Sequence, residues 1–332
     1  MTSSHRRTLL KFGAASVLPA LLPASPRAFA QAGDYPHKPV VMIIPYTAGG
    51  GVDTLVRLML PWLNAELKQT VLPENRPGVS GIVGAQYVSH AAPDGYTLLA
   101  GNLTTNVMNG LLLKNPGYNP QRDFEPLALV NSFPMVLVVN PKSRFNSVTD
   151  VIKAAKADPD GLTFGSSGIG SAQHLAASLF QDATKTRMRH IPYKGGNGTM
   201  TDLIGGQLDM AFEVAPVAGP FVRDNRLRAL GLTSTRGIAA LPGVKPIAQL
   251  GVPGYEMVFW NAFFAPKGTP QPIVDKLATV ITKVVAMREF EDKMNDMGAI
   301  PGGAKGAEFA AFQKAEVAKW SRLVKAMDIK PE

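Results

Sequence analysis

Short hydrophobic runs alternate with amphipathic stretches along the chain, and turns rich in glycine and serine separate them. In one such unit, three β-forming residues at 162–164 precede glycines and serines, and a helical pattern follows at residues 172–180. Another unit starts with the hydrophobic run Val40–Ile44 and passes through a glycine-rich turn into a helical pattern at residues 55–67. Repeated units of strand, turn and helix predict an α/β fold with mainly parallel sheets flanked by helices.

The turn at residues 165–170 ends where a helix is predicted to start. Ser171 stands at the N-cap position, and Ser166 and Ser167 lie shortly before it. The first N–H groups of a helix have no partner within it and carry the positive end of the helix dipole, so hydroxyl groups beside them complete a site for an anion. About three or four such hydrogen bonds can hold a carboxylate without a lysine or arginine. The alternative is an ordinary capped helix after a flexible turn.

Polar side chains follow several other predicted strands. These strands lie at residues 96–100, 134–139, 189–193, 208–212, 227–233 and 259–265, with helices predicted at 82–90, 147–157 and 307–326 and others that end near 203 and 287. Thr104 and Thr105 come after the first of these strands, and Glu213 closes the strand at 208–212. Because ligands bind beyond the carboxyl ends of strands in α/β sheets, these residues are candidates for one shared cleft.

The first thirty residues have the pattern of an export signal. Basic residues that include the pair Arg6 and Arg7 precede a hydrophobic stretch at residues 12–22, and an A-x-A cleavage site ends at Ala30. The twin arginine resembles a Tat signal, and the Sec route is the alternative. We therefore expect a periplasmic protein whose mature chain begins near Gln31.

Composition excludes several classes of function. The chain has 34 Lys+Arg, 25 Asp+Glu and no cysteine. Its basic residues are scattered, so no nucleic-acid partner is expected. The absence of cysteine excludes disulfides and cysteine metal sites, and the histidines lack the spacing of a zinc site. We predict neither a metal nor a cofactor.

A serine hydrolase is the main alternative from another class. Its nucleophile would be Ser167 or Ser171, with His174 as the base. The sequence shows no acidic residue to orient that histidine, and the glycine spacing does not match a nucleophile elbow. The simpler interpretation of His174 is a histidine that packs in the interior or supports the binding residues without contacting the ligand. We predict that the protein is not an enzyme.

Several motifs together resemble the Bug/TctC family, the periplasmic solute-binding proteins of tripartite tricarboxylate transporters. They occur in family order over nearly the whole mature chain: Pro45-Tyr46-Thr47-Ala48-Gly49-Gly50 with Asp53; Glu74-Asn75-Arg76-Pro77-Gly78; Pro93-Asp94-Gly95-Tyr96-Thr97-Leu98; Tyr118-Asn119-Pro120 with Asp123-Phe124; Phe164-Gly165-Ser166-Ser167-Gly168 with Gly170-Ser171 and His174-Leu175; His190-Ile191-Pro192-Tyr193-Lys194-Gly195; Asp202-Leu203-Ile204-Gly205-Gly206; Leu227-Arg228-Ala229-Leu230 with Thr233-Ser234; and Pro253-Gly254-Tyr255-Glu256.

The resemblance implies a two-lobed, Venus-flytrap α/β fold that clasps a small carboxylate, either a di- or tricarboxylate or an aromatic acid. One lobe would comprise residues 31–133 and 259–332, and the other residues 134–258. The residues implied as ligand contacts are Tyr46, Thr47, Ala48, Thr104 and Thr105 from the first lobe and Ser166, Ser167 and Ser171 from the second. Glu213 would receive an ammonium or hydroxyl group of the ligand, or only a backbone amide.

The resemblance also implies partners. A monomer would close around its ligand and deliver it to the membrane permease subunits of a tripartite tricarboxylate transporter. The same closure would serve a sensory module that reports to a membrane kinase, and the sequence does not separate these two roles.

Overall fold

The computed structural model describes residues 35–168, 171–193 and 196–326. The predicted export signal, residues 1–30, lies outside these ranges, and its cleavage stays a prediction. Within them the strands are β1 (Val40–Ile44), β2 (Val71–Asn75), β3 (Thr97–Asn102), β4 (Phe124–Val139), β5 (Thr163–Ser166), β6 (Arg189–Pro192), β7 (Met210–Val214), β8 (Arg228–Leu232), β9 (Val258–Pro266) and β10 (Ile300–Pro301). The helices are α1 (Gly51–Leu67), α2 (Ile82–Ser89), α3 (Asn109–Leu112), α4 (Val148–Ala157), α5 (Ala172–Thr184), α6 (Gly196–Ile204), α7 (Ala215–Arg223), α8 (Gln271–Val285), α9 (Arg288–Asp296) and α10 (Gly306–Ala326).

Two mixed sheets share the long strand β4. In the first lobe the order is β2-β1-β3-β9-β4-β10, with β1 parallel to β2 and β3 and with β9 antiparallel to both of its neighbours. In the second lobe β5 is parallel to β6 and β7, and β4 runs antiparallel to β7 and β8. The predicted two-lobed α/β fold is confirmed. Its sheets are mixed and not mainly parallel as predicted, because β4 and β9, which run between the lobes, are antiparallel to their neighbours.

The chain passes between the lobes within β4. Residues 124–134 of this strand pair with β9, and residues 135–139 pair with β7 and β8. On the return, Met257 donates its N–H to the carbonyl oxygen of Thr233 at 2.9 Å, one residue before β9 begins. These changes of partner lie beside the boundaries suggested above, and the division of the chain into 31–133, 134–258 and 259–332 stays a prediction.

One hydrophobic core runs through the junction of the lobes. Trp260 of β9 and Trp320 of α10 are fully buried, and both donate their indole N–H to Glu316 Oε2 at 3.0 Å. Their cluster includes Leu99 of the first lobe and Phe164 of the second. The crossing strands and the last helix therefore form one packed unit that joins the lobes.

Several elements differ from the sequence-based prediction, and the short elements α3, α9 and β10 were not predicted. Helix α1 begins at Gly51, four residues earlier than predicted, because its glycine-rich start gave no hydrophobic periodicity. Strand β4 begins at Phe124 and not at residue 134, since prolines and polar residues interrupt its hydrophobic pattern while bulges keep it paired with β9. Helix α7 was not predicted, because Pro216 and Pro220 argue against a helix. Pro216 is tolerated there because it lies in the first turn.

Candidate functional site

In the first lobe, an aspartate holds the glycine-rich loop that follows β1. Asp53 is buried in the first turn of α1 and accepts the N–H of Gly49 at 2.8 Å. Arg57 Nε and Asn75 Nδ2 both donate to the same carboxylate at 2.9 Å. The hydrogen bond from Arg57 is the largest cause that lowers the pKa of Asp53 to about 2, against the opposing effect of burial. Gly49 has φ +80°, a conformation that favours glycine.

Tyr46 joins this loop to the loop after β3. Its hydroxyl donates to Asn102 Oδ1 at 3.0 Å, and the same oxygen accepts the N–H of Thr105 at 3.1 Å. Burial raises the pKa of Tyr46 to about 12, opposed by hydrogen bonds with Asn102 and Thr104. Thr47 and Ala48, the next two residues, are exposed. The end of β3 therefore fixes the position of the loop after β1, and Thr47 and Ala48 of that loop are exposed.

Thr104 and Thr105 lie in a π-helical turn, Thr104–Met108, directly after β3. Thr104 is partly exposed, whereas Thr105 is fully buried. The Thr105 hydroxyl accepts the N–H of Asn102 at 3.0 Å and donates to Asn106 Oδ1 at 2.7 Å. The structure thus uses the Thr105 hydroxyl to shape the loop, and the contact of this residue with a ligand stays a prediction.

In the second lobe, the turn after β5 is built around Ser166. This side chain is fully buried, accepts the N–H of Gly168 at 3.1 Å and lies 3.0 Å from the carbonyl oxygen of the same residue. His190 Nε2 lies 2.6 Å from the Ser166 Oγ. Ser166 is therefore a loop-forming residue in this conformation, while the neighbouring Ser167 is partly exposed.

Ser171 caps helix α5, as predicted from the sequence. Its Oγ accepts the N–H of His174 at 3.3 Å. Ser167 Oγ donates to Gln173 Oε1 at 2.8 Å, which ties the turn to the first turn of the helix. The predicted serines are thus gathered on one unit of strand, turn and helix.

Glu213 lies at the end of β7 and is connected to this unit through Gln173. Gln173 Nε2 lies 3.4 Å and 3.5 Å from the two carboxylate oxygens, and Glu213 Oε1 accepts the N–H of Val214 at 2.8 Å. The side chain is 2% exposed. Burial is the largest cause that raises the pKa of Glu213, opposed by the hydrogen bonds from Val214 and Gln173. The Val214 backbone amide and the Gln173 side chain are therefore partners of Glu213 in this structure, and its contact with a ligand group stays a prediction.

A pair of stacked histidines lies behind the serine turn, and sequence reasoning missed it. The ring centroids of His174 and His190 are 4.2 Å apart, and Phe164 stacks on His190 at 4.8 Å. Burial lowers the pKa of both histidines, that of His174 to about 4 with a further contribution from His190. Sixteen positions separate the two residues in sequence. The pairing of Phe164 with His190 across β5 and β6, together with the packing of α5 beside them, brings the two histidines together.

The described ranges contain neither a metal-binding cluster nor a membrane-spanning helix. No group of three or more His, Cys, Asp or Glu side chains there could hold a metal ion. Of the helices in the same ranges, none has the length and hydrophobicity to span a membrane.

Comparison with known proteins identifies the family. Residues 55–329 match the family described as the tripartite tricarboxylate transporter family receptor, TctC. Protein BugT of Bordetella pertussis is 32% identical, over 89% of this chain and 90% of BugT. A protein from the tcbD-tcbE intergenic region of Pseudomonas sp. strain P51 is 34% identical, over 87% of this chain and 86% of that protein.

Three solved structures are also similar. A protein of R. palustris solved with adipate has a TM-score of 0.73 and 32% identity, covering 90% of this chain and 100% of that one. The periplasmic binding protein BugD has a TM-score of 0.69 and 31% identity, with coverage of 90% and 100%. MatC from Rhodopseudomonas palustris with bound malate has a TM-score of 0.68 and 27% identity, with coverage of 87% and 100%. The chain therefore belongs to the TctC family, a family of periplasmic solute-binding proteins and not of enzymes.

Proposed function

We propose that this protein captures a small carboxylate between its two lobes in the periplasm and delivers it to the membrane permease subunits of a tripartite tricarboxylate transporter. The observation that carries the proposal is the unit formed by the serine turn and the capped start of α5. Helix starts of this kind bind anions through their N–H groups. Two similar proteins whose structures contain adipate and malate support a carboxylate as the ligand.

The serine turn would provide the contacts from the second lobe. Ser167 can rotate its hydroxyl from Gln173 to a ligand oxygen, and the first turn of α5 carries the positive end of the helix dipole. Hydrogen bonds to a charged group contribute about 1.5–3 kcal/mol each. A few of them can support micromolar affinity, about −8 kcal/mol, after the costs of association.

The glycine-rich loop would provide the contacts from the first lobe. Thr47 and Ala48 are exposed on a loop that Tyr46 and Asp53 hold in place. A ligand that contacts both lobes at once stabilises the closed arrangement, which is the form that a permease can distinguish from the empty protein. In this scheme Thr105 shapes the loop after β3 and Ser166 shapes the serine turn after β5. Glu213 is linked to the serine turn through its contact with Gln173.

Calorimetric titration of the mature protein with malate and adipate tests this proposal. We expect at least one dicarboxylate to bind with micromolar affinity and its diamide not to bind. Ser167→Ala and Thr47→Ala should each weaken binding about tenfold, which corresponds to roughly one hydrogen bond to a charged group. The controls Ser89→Ala, at a partly exposed position, and Thr149→Ala, at an exposed one, should bind like the parent. Equal binding of the acid and the diamide would contradict the proposal.

A further inference from the structure

We propose that His190 is a positioning residue for the carboxylate-binding turn, acting through Ser166 as a hydrogen-bond donor from Nε2. The proposal rests on the proposed function and adds a residue to which no contact with the ligand has been assigned. It starts from the 2.6 Å separation between His190 Nε2 and the buried hydroxyl of Ser166.

The number of protons in the turn determines the direction of this hydrogen bond. The Ser166 hydroxyl has one proton and already accepts the N–H of Gly168 at 3.1 Å. The Gly168 carbonyl oxygen, 3.0 Å away, can only accept, so it takes the hydroxyl proton. His190 Nε2 must then carry a proton and donate it to Ser166. If Nε2 were the acceptor, Ser166 Oγ and the Gly168 carbonyl oxygen would face each other with no proton between them.

The turn depends on this arrangement because its backbone is unusual. Gly168 has φ +131°, a conformation that side-chain-bearing residues rarely adopt. Both hydrogen-bonding groups of Gly168 are held by Ser166, and His190 fixes the Ser166 rotamer that makes this possible. The direction in which the turn presents Ser167 and the start of α5 therefore depends on one imidazole N–H.

Strand β6 provides a rigid support for that imidazole. His190 pairs with Phe164 in the parallel ladder, and its ring packs against the rings of both Phe164 and His174. The N–H of Tyr193, just beyond β6, donates to the carbonyl oxygen of Ser166 at 2.9 Å. Ser166 is thus held by this part of the chain through both its backbone and its side chain. Within the described ranges no carboxylate forms a salt bridge with His190.

Two substitutions separate the hydrogen bond from the ring stack. His190→Phe keeps an aromatic ring and removes the donor, and His190→Gln removes the ring and keeps an N–H donor near the position of Nε2. We expect His190→Phe to weaken malate or adipate binding roughly five- to tenfold, the effect of one lost hydrogen bond, and His190→Gln to recover most of it. Parent-like affinity in His190→Phe, or equal loss in both variants, would overturn the proposal.

A measurement without ligand keeps this test separate from the proposed function. Nitrogen-15 NMR of the unliganded protein at neutral pH should show His190 protonated at Nε2, and a proton on Nδ1 alone would overturn the inference. If the parent protein binds no carboxylate, the proposed function fails whatever the tautomer. If the parent binds and His190→Phe binds equally well, the function stands and the positioning role fails.

Discussion

The carboxylate of Asp53 accepts the backbone N–H of Gly49 at 2.8 Å and thereby closes the glycine-rich loop onto the first turn of α1. Arg57 and Asn75 donate to the same carboxylate. One buried charge therefore holds the loop that presents Thr47 and Ala48. This relationship can be tested through both stability and binding.

We expect Asp53→Asn to destabilise the protein by about 2 kcal/mol at pH 7, because a pKa lowered from 3.8 to about 2 favours the folded state by that order. The stabilisation that the lowered pKa of Asp53 provides is fully present above the ordinary pKa of 3.8. It is lost as the pH falls towards 2. Urea unfolding at pH 7 and at pH 3 should therefore show a smaller difference at the lower pH. Asp292→Asn removes an exposed ion pair with Arg288 and should change stability little.

Glu213 should show the opposite dependence on pH. Burial raises its pKa above the ordinary 4.5, so the folded protein binds this proton more tightly than the unfolded chain does. The contribution of Glu213 to the free energy of unfolding is most favourable below pH 4.5. It falls as the pH rises through the raised pKa. Glu213→Gln cannot ionise and should unfold at a higher temperature than the parent at pH 7, with little difference at pH 4. Glu289→Gln, at an exposed position of α9, should match the parent at both pH values. A lower unfolding temperature for Glu213→Gln at pH 7 would contradict this account.

The junction of the lobes should depend on Glu316. Two buried indole N–H groups donate to its Oε2, so Glu316→Ala would leave both without a partner. A buried donor without a partner costs about 1–3 kcal/mol, and we expect a total loss of roughly 2–4 kcal/mol. Glu316→Gln keeps an acceptor oxygen and should lose less. Calorimetric unfolding measures both variants, with the exposed Glu308→Gln as the control.

Local chemistry made part of the structure predictable from the sequence. The hydrophobic run of β1, the serine cap of α5 and the glycine-rich turns each specify their own conformation within a few residues. The motifs in order also indicated the family. Each of these features depends on residues that are adjacent in the sequence, and the sequence alone therefore predicts them.

Features that depend on strand pairing were not predictable. The contact between Ser166 and His190 requires the register of β5 against β6, and the stack with His174 requires α5 to pack beside that pair. Burial of the Thr105 hydroxyl likewise depends on the fold, since a threonine after a strand can face either a cleft or the interior. The sequence located the loops and left open which of their side chains point outward.

Thermal unfolding of the mature protein against a panel of mono-, di- and tricarboxylic acids, aromatic acids, amino acids and sugars tests the central claim most directly. A ligand at one hundred times its dissociation constant adds about 2.7 kcal/mol, which raises the unfolding temperature by a few degrees. We predict a shift with a small set of carboxylates, reduced in Thr47→Ala and Ser166→Ala. No shift with any acid, or a shift with sugars alone, would contradict the carboxylate-binding account.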